Sequence, residues 1–147
     1  MTLRIKKLNE NAIIPKRATS GSAGYDLSAC LSEPVTVLPG EIKKIPTGIS
    51  CELVSDTDAV ILIYARSSLA TKHGITLANC VGVVDSDYRG EILVAVINQS
   101  DKPYTIEHGE RIAQLVITPV LLPTVEEAGE LSDTTRGAGG FGSTGKA

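Results

Sequence analysis

The chain has 147 residues and a net charge of −3, with 14 Lys and Arg against 17 Asp and Glu and no basic block longer than two residues. That balance excludes the electrostatic footprint of a protein that binds polymeric nucleic acid. Apolar residues make up 42% but aromatics only 3%, with one Phe and no Trp, so a core of single-domain size must be filled by aliphatic and β-branched side chains.

The N-terminus MTLRIKKLNE carries charges without the apolar stretch of a leader, and no apolar run approaches the roughly 18 residues of a membrane span. The expectation is a cytoplasmic protein with no membrane partner. Its three cysteines, Cys30, Cys51 and Cys80, fit no zinc spacing and lie in or beside apolar stretches, which predicts reduced core thiols.

Next in the chain, Ala23-Gly24-Tyr25-Asp26-Leu27-Ser28-Ala29 sets an Asp near a turn, where it serves either as a structural ion pair or as part of a site. From residue 35 to 119 the apolar residues come in short runs: VTVL, EIKKIP, GISCELV, AVILIYA, GITLANCVGVV, EILVAVIN, YTI and RIAQLVI. Turn signals at Pro39-Gly40, Asn98–Asp101 and His108-Gly109, with Pro34, Pro46 and Pro119 at run edges, predict short strands of a sandwich or barrel.

One short helix is predicted at RSSLATKHG, capped by Ser67 or Ser68 and ended by Gly74. There Arg66, Ser67 and Ser68 can gather backbone N–H groups, hydroxyls and a guanidinium around an anion, or act only as a cap and a surface cation. Further on, Gly82-Val83-Val84-Asp85-Ser86-Asp87-Tyr88-Arg89-Gly90 has the layout of a polar β-hairpin. Its bland reading is a solvated tip. Its functional reading is a carboxylate held on rigid strands to orient and deprotonate water, with a Tyr to pack against a sugar.

Gly109–Val116 carries Arg111 and Gln114, and Arg111 has the same two readings as Asp26. His73 and His108 are expected at the surface, outside any polar group that would orient an imidazole.

After Leu131 the chain becomes TTRGAGGFGSTGKA, too poor in aliphatics for a strand. Gly137–Gly142 fits GxGxxG, and Gly140–Lys146 imitates a phosphate loop. No helix can follow the first, however, and Ala147 stands where the second needs Ser or Thr. What remains is a glycine-rich phosphate wrapper with donors Arg136, Ser143 and Thr144, and a lone Phe141 suited to stack on a flat ring.

Taken in order, AGYDLSA, ARSSLA, GVVDSDYRGEI, GERIAQLVI and RGAGGFGSTG closely resemble the five motifs of the trimeric dUTP pyrophosphatase family, spanning residues 23 to 145. The resemblance implies an all-β, distorted jelly-roll-like barrel or sandwich with one short helix, a single domain over 1–147. It also implies a homotrimer whose mobile tail, from about residue 132, closes over a neighbour's site. The implied reaction is hydrolysis of dUTP to dUMP and pyrophosphate, which keeps dUTP out of DNA and supplies dUMP for thymidylate synthesis.

By the same resemblance Asp85 activates the water that attacks the α-phosphorus. Mg²⁺ is held by the triphosphate and waters, with Asp26 near its outer shell and no direct protein ligand. Uracil is read by backbone groups around Gly82 and Val84 with help from Asn79, and Tyr88 packs beneath the deoxyribose and obstructs a 2′-OH. The family positions that contact phosphates fall on Arg66, Ser67, Ser68 and Gln114. The wrapping tail falls on Arg136, Gly142, Ser143 and Thr144, with Phe141 stacked on uracil.

Ala65 departs from the family's usual Pro and removes no functional group. The competing readings are a dCTP deaminase-like enzyme and a non-catalytic nucleotide-binding regulator of the same fold.

Overall fold

The computed structural model describes residues 1–140. Among them, eleven strands and one helix follow in the order β1 (Thr2–Lys7), β2 (Tyr25–Ser28), β3 (Val35–Val37), β4 (Ile42–Pro46), β5 (Ile49–Val54), β6 (Ala59–Ala65), α1 (Ser67–His73), β7 (Ile75–Leu77), β8 (Gly82–Val84), β9 (Leu93–Asn98), β10 (Tyr104–Ile106) and β11 (Arg111–Pro119). The all-β expectation and the single short helix hold.

All the strand pairs are antiparallel. They form a jelly-roll-like set of sheets ordered β2-β11-β6-β8, β4-β9-β7, β1-β5 and β10-β3.

Aliphatic side chains fill the interior, as the composition requires. Leu27, Ile45, Ile49, Ile75, Ile92, Ile112 and Leu115 are essentially inaccessible, and among the described residues no aromatic is fully buried. Alternation sets the faces: in β6 and β9 every second residue is buried, the period of a strand with one face on the core.

The longest ladder, β6 with β11, runs from Ala65↔Ala113 to Ala59↔Pro119. On its other edge β11 pairs with β2, and the register slips between Arg111 and Ala113. At this bulge Ile112 and Ala113 are both buried in succession.

Five expectations need correction. Strands also form at 2–7 and 25–28, ahead of the predicted runs. The run at 74–84 is two strands, because β7 pairs with β9 whereas β8 pairs with β6. The residues between turn through Cys80, whose φ is +61, and that thiol is exposed rather than in the core, while Cys30 and Cys51 are buried as expected.

The helix cap is also displaced by one residue. Arg66 is the N-cap, in extended backbone and without a side-chain cap bond, so Ser67 and Ser68 are the first residues of the helix proper. At the other end Gly74 does close the helix, at φ +69, where a Cβ would strike the Ser100 backbone at 2.7 Å. Finally, His108 is exposed but oriented: its Nδ1 accepts the Leu31 N–H at 3.2 Å.

Candidate active site

Gly82 of β8 is buried against β6. A Cβ there would lie 3.1 Å from Ile63 Cβ and 3.7 Å from Asn79 Nδ2, a tight contact that glycine relieves where the β8 backbone approaches β6. Where β8 leaves its sheet, a cavity of about 220 Å³ opens, lined by Asn79, Gly82, Val84, Asp85 and Tyr88 together with Ile63, Glu91 and Leu93. The sequence-predicted pocket residues therefore do meet.

The segment that carries them is not a hairpin, however. β8 joins the β6 sheet and β9 joins the β4–β7 sheet, so Asp85–Ile92 is the crossing between two sheets.

This crossing is fixed by bonds to the chain around β5. Ile92 N–H donates to the Ile49 carbonyl at 2.9 Å, Thr47 Oγ1 to the Ile92 carbonyl at 2.6 Å and Ser50 Oγ to the Arg89 carbonyl at 2.7 Å. Glu91 Oε1 accepts the Gly48 N–H at 2.8 Å.

Its tip is tied internally as well. Tyr88 N–H donates to the Asp85 carbonyl at 3.1 Å, and Arg89 Nη1 donates to the carbonyls of Ser86 and Tyr88 at 2.8 and 3.0 Å. Asp85 is thus an exposed carboxylate on a braced turn at the rim of a cavity with mixed polar and apolar walls.

A second cluster forms where β2, β11 and the α1 N-terminus converge. Asp26 Oδ1 pairs with Arg66 Nε at 3.2 Å and its Oδ2 with Arg111 Nη1 at 2.9 Å. Arg66 Nη1 also donates to the Arg111 carbonyl at 3.1 Å. Gln114, the ladder partner of Asp26, donates from Nε2 to the Ala65 carbonyl at 3.0 Å.

The two arginines share one carboxylate, leaving net positive charge beside a first helical turn with no acidic residue and no side-chain cap. Such a place suits an anion. Among the described residues no group of three or more His, Cys, Asp or Glu side chains is arranged to hold a metal ion. With Asp26 as its acidic group, the cluster fits a dication carried in by phosphate oxygens and water better than one caged by protein ligands.

The lining of the cavity includes none of Asp26, Arg66, Ser67, Ser68 or Gln114. Arg136 is exposed, its carbonyl accepts the Gly139 N–H at 3.1 Å, and it lines no part of that cavity. Phe141, Gly142, Ser143 and Thr144 lie outside the described residues.

Sequence reasoning missed the roles of Glu91, Thr47 and Ser50. Their contacts span 39 to 45 positions in the chain and carry no local signal.

Over residues 10–145 the sequence matches the model of the family described as dUTPase. It is 53% identical over 132 residues to a deoxyuridine 5'-triphosphate nucleotidohydrolase of Desulfitobacterium hafniense, covering 90% of this chain and 87% of the relative. With the enzyme of the same name from Nautilia profundicola the identity is 52% over 146 residues, 99% and 100% of the two chains. The fold matches the solved dUTPase of Staphylococcus bacteriophage 80alpha with dUPNHPP at a TM-score of 0.86, with 30% identity and 99% of each chain covered.

Proposed function

The chain belongs to the dUTPase family and is an enzyme that hydrolyses dUTP; we propose that it does so by attack of a water, activated at Asp85, on the α-phosphorus, releasing dUMP and pyrophosphate. The observation that carries this reading is the small cavity formed by Asn79, Gly82, Val84 and Tyr88 with Asp85 at its rim. A flat pyrimidine is matched there by backbone N–H and C=O groups of β8. Cytosine, with a donor where uracil has O4, leaves those groups mispaired.

Asp85 takes the proton of the attacking water, and its braced turn keeps the carboxylate in one place so that little reorganisation is needed. Tyr88 packs beneath the deoxyribose. Arg66, Ser67, Ser68 and Gln114 receive the phosphates, and Asp26 holds the Arg66 and Arg111 guanidiniums ready for them.

Arg136, Phe141, Gly142, Ser143 and Thr144 complete the enclosure, the Phe on the base and the others on the outer phosphates. Mg²⁺ carried in on the triphosphate would supply charge neutralisation on the phosphoryl oxygens. Asp26 is the group that would reach that ion's water shell.

The working unit is a homotrimer. Two features support this: the base cavity shares no lining residue with the Arg66 cluster, and Leu121, Leu122, Val125 and Leu131 stand exposed along one segment after β11, apolar surface that a neighbouring copy can cover. A monomer in light scattering sinks the shared site.

Product analysis in ¹⁸O-water tests the chemistry. dUTP, dCTP, dTTP and UTP are offered separately with Mg²⁺. Pyrophosphate and labelled dUMP from dUTP alone support the reading, label in pyrophosphate moves the attack to another phosphorus, and ammonia from dCTP makes the protein a deaminase.

A further inference from the structure

The ring of Tyr88 rests on Gly90. A Cβ built on Gly90 would stand 2.3 Å from the Tyr88 hydroxyl oxygen, 2.5 Å from Cζ and 2.9 Å from Cε2, and these are its three nearest neighbours. The phenol reaches across that glycine to donate to the Glu91 carbonyl at 3.0 Å. Gly90 does not have a left-handed φ, so its backbone conformation is open to any L-residue. The nearest obstacle to a side chain here is the aromatic ring.

From this contact we propose that Gly90 is a specificity-determining residue: it is the seat that sets the height of the Tyr88 ring in the base cavity and thereby the room beneath the sugar. The proposal rests on the reading that Tyr88 packs under deoxyribose.

Gly90 is not part of the cavity lining, whereas Tyr88 and Glu91 are. A methyl group at 90 therefore lifts the ring off its seat, breaks the bond from the phenol to Glu91 and moves the ring within the sugar space. The backbone around it stays held, because Ser50 Oγ grips the Arg89 carbonyl and Gly48 N–H grips the Glu91 carboxylate. The three nearest obstacles all belong to Tyr88, so the effect is expected to pass through that side chain.

A double-mutant cycle tests this, using Gly90→Ala, Tyr88→Ala and the double variant, with KM for dUTP, the UTP:dUTP ratio of kcat/KM and Tm measured for each. Overpacking of this severity predicts that Gly90→Ala raises the dUTP KM about tenfold and shifts the UTP:dUTP ratio when Tyr88 is present. In the Tyr88→Ala background the same change has less than about a twofold effect.

Equal effects of Gly90→Ala in both backgrounds, or none in either, overturn the proposal. A drop in Tm common to both backgrounds with no change in ratio makes Gly90 merely structural and overturns it too. If Tyr88→Ala itself leaves the UTP:dUTP ratio unchanged, the fault lies in the prior reading of Tyr88, and the cycle shows which of the two has failed.

Discussion

Gln114 lies across Gly24: a Cβ on Gly24 would stand 2.5 Å from Gln114 Oε1 and 3.2 Å from its Cβ. The amide is caught between this glycine of the β2 entry and the Ala65 carbonyl that its Nε2 bonds at 3.0 Å. Gly24→Ala, at a φ outside the left-handed region, is expected to displace the amide and raise the dUTP KM by about tenfold through overpacking, with little change in fold. Steady-state kinetics beside circular dichroism check this, and an unchanged KM removes Gln114 from phosphate binding or Gly24 from its support.

Asp26 is the shared anchor of Arg66 and Arg111. Because the pairs are partly exposed, Asp26→Asn should cost only about 1 kcal/mol of stability or less. Its functional effect is expected to be larger, since Arg66 loses the partner that aims it: kcat/KM for dUTP falls by about tenfold or more. Urea titration and kinetics on one preparation separate the two effects, and parallel small changes would make the cluster structural.

At the cavity rim, Asp85→Asn keeps the shape of the turn, because the bond from Tyr88 N–H goes to the Asp85 main-chain carbonyl and not to its side chain. Binding of dUTP is expected to stay within several-fold while turnover drops by more than about 100-fold, the scale of a lost general base. Near-normal turnover would remove Asp85 from that role.

Residues 132–140 form no strand and are almost all exposed. Deleting residues 136 to 147 is accordingly expected to leave Tm unaltered while efficient dUTP hydrolysis is lost. A truncated enzyme with full activity would show that the arginine and glycines of the tail play no part in the chemistry.

Away from the site, the Tyr104 hydroxyl donates to Glu110 Oε1 at 2.5 Å and its ring packs against His73 with centroids 4.8 Å apart. Burial first, and then the Glu110 carboxylate, push the phenol up to about 12 from its ordinary 10. The folded state thus favours the neutral phenol, so its contribution is fully present below pH 10 and is lost as pH rises through about 12. The stability advantage of the native chain over Tyr104→Phe should therefore shrink across that window in chemical denaturation, and a constant difference contradicts the linkage.

Much of this was legible from residue order. Apart from the run at 74–84, the runs from Val35 to Ile117 became strands close to their sequence limits because aliphatic alternation and Gly or Pro punctuation agreed there. β1 was legible in principle, with half-buried Leu3 and Ile5 alternating with exposed Arg4 and Lys6, but its period-two signal is only two apolar residues long. β2 has four residues and depends on β11 for pairing.

The break at Cys80 was hard to read, because its positive φ falls on a cysteine and the one turn-forming residue in it, Asn79, stands alone inside an apolar run. At the site, side-chain chemistry such as that of Asp85 and Tyr88 announced itself, whereas supports such as Thr47, Ser50 and the Glu91 carboxylate exist only through long-range folding.

The bulge in β11 gives the length of that strand a meaning of its own. In a regular strand, residues three apart face opposite ways. With Ile112 and Ala113 turned inward together, Arg111 and Gln114 emerge on the side where Asp26 sits. The facing of these residues follows from their number rather than from side-chain chemistry, so loss or gain of a single residue sends one of the two polar groups into the core. Between Arg111 and Gln114, it is the count of residues that puts both polar groups on one side.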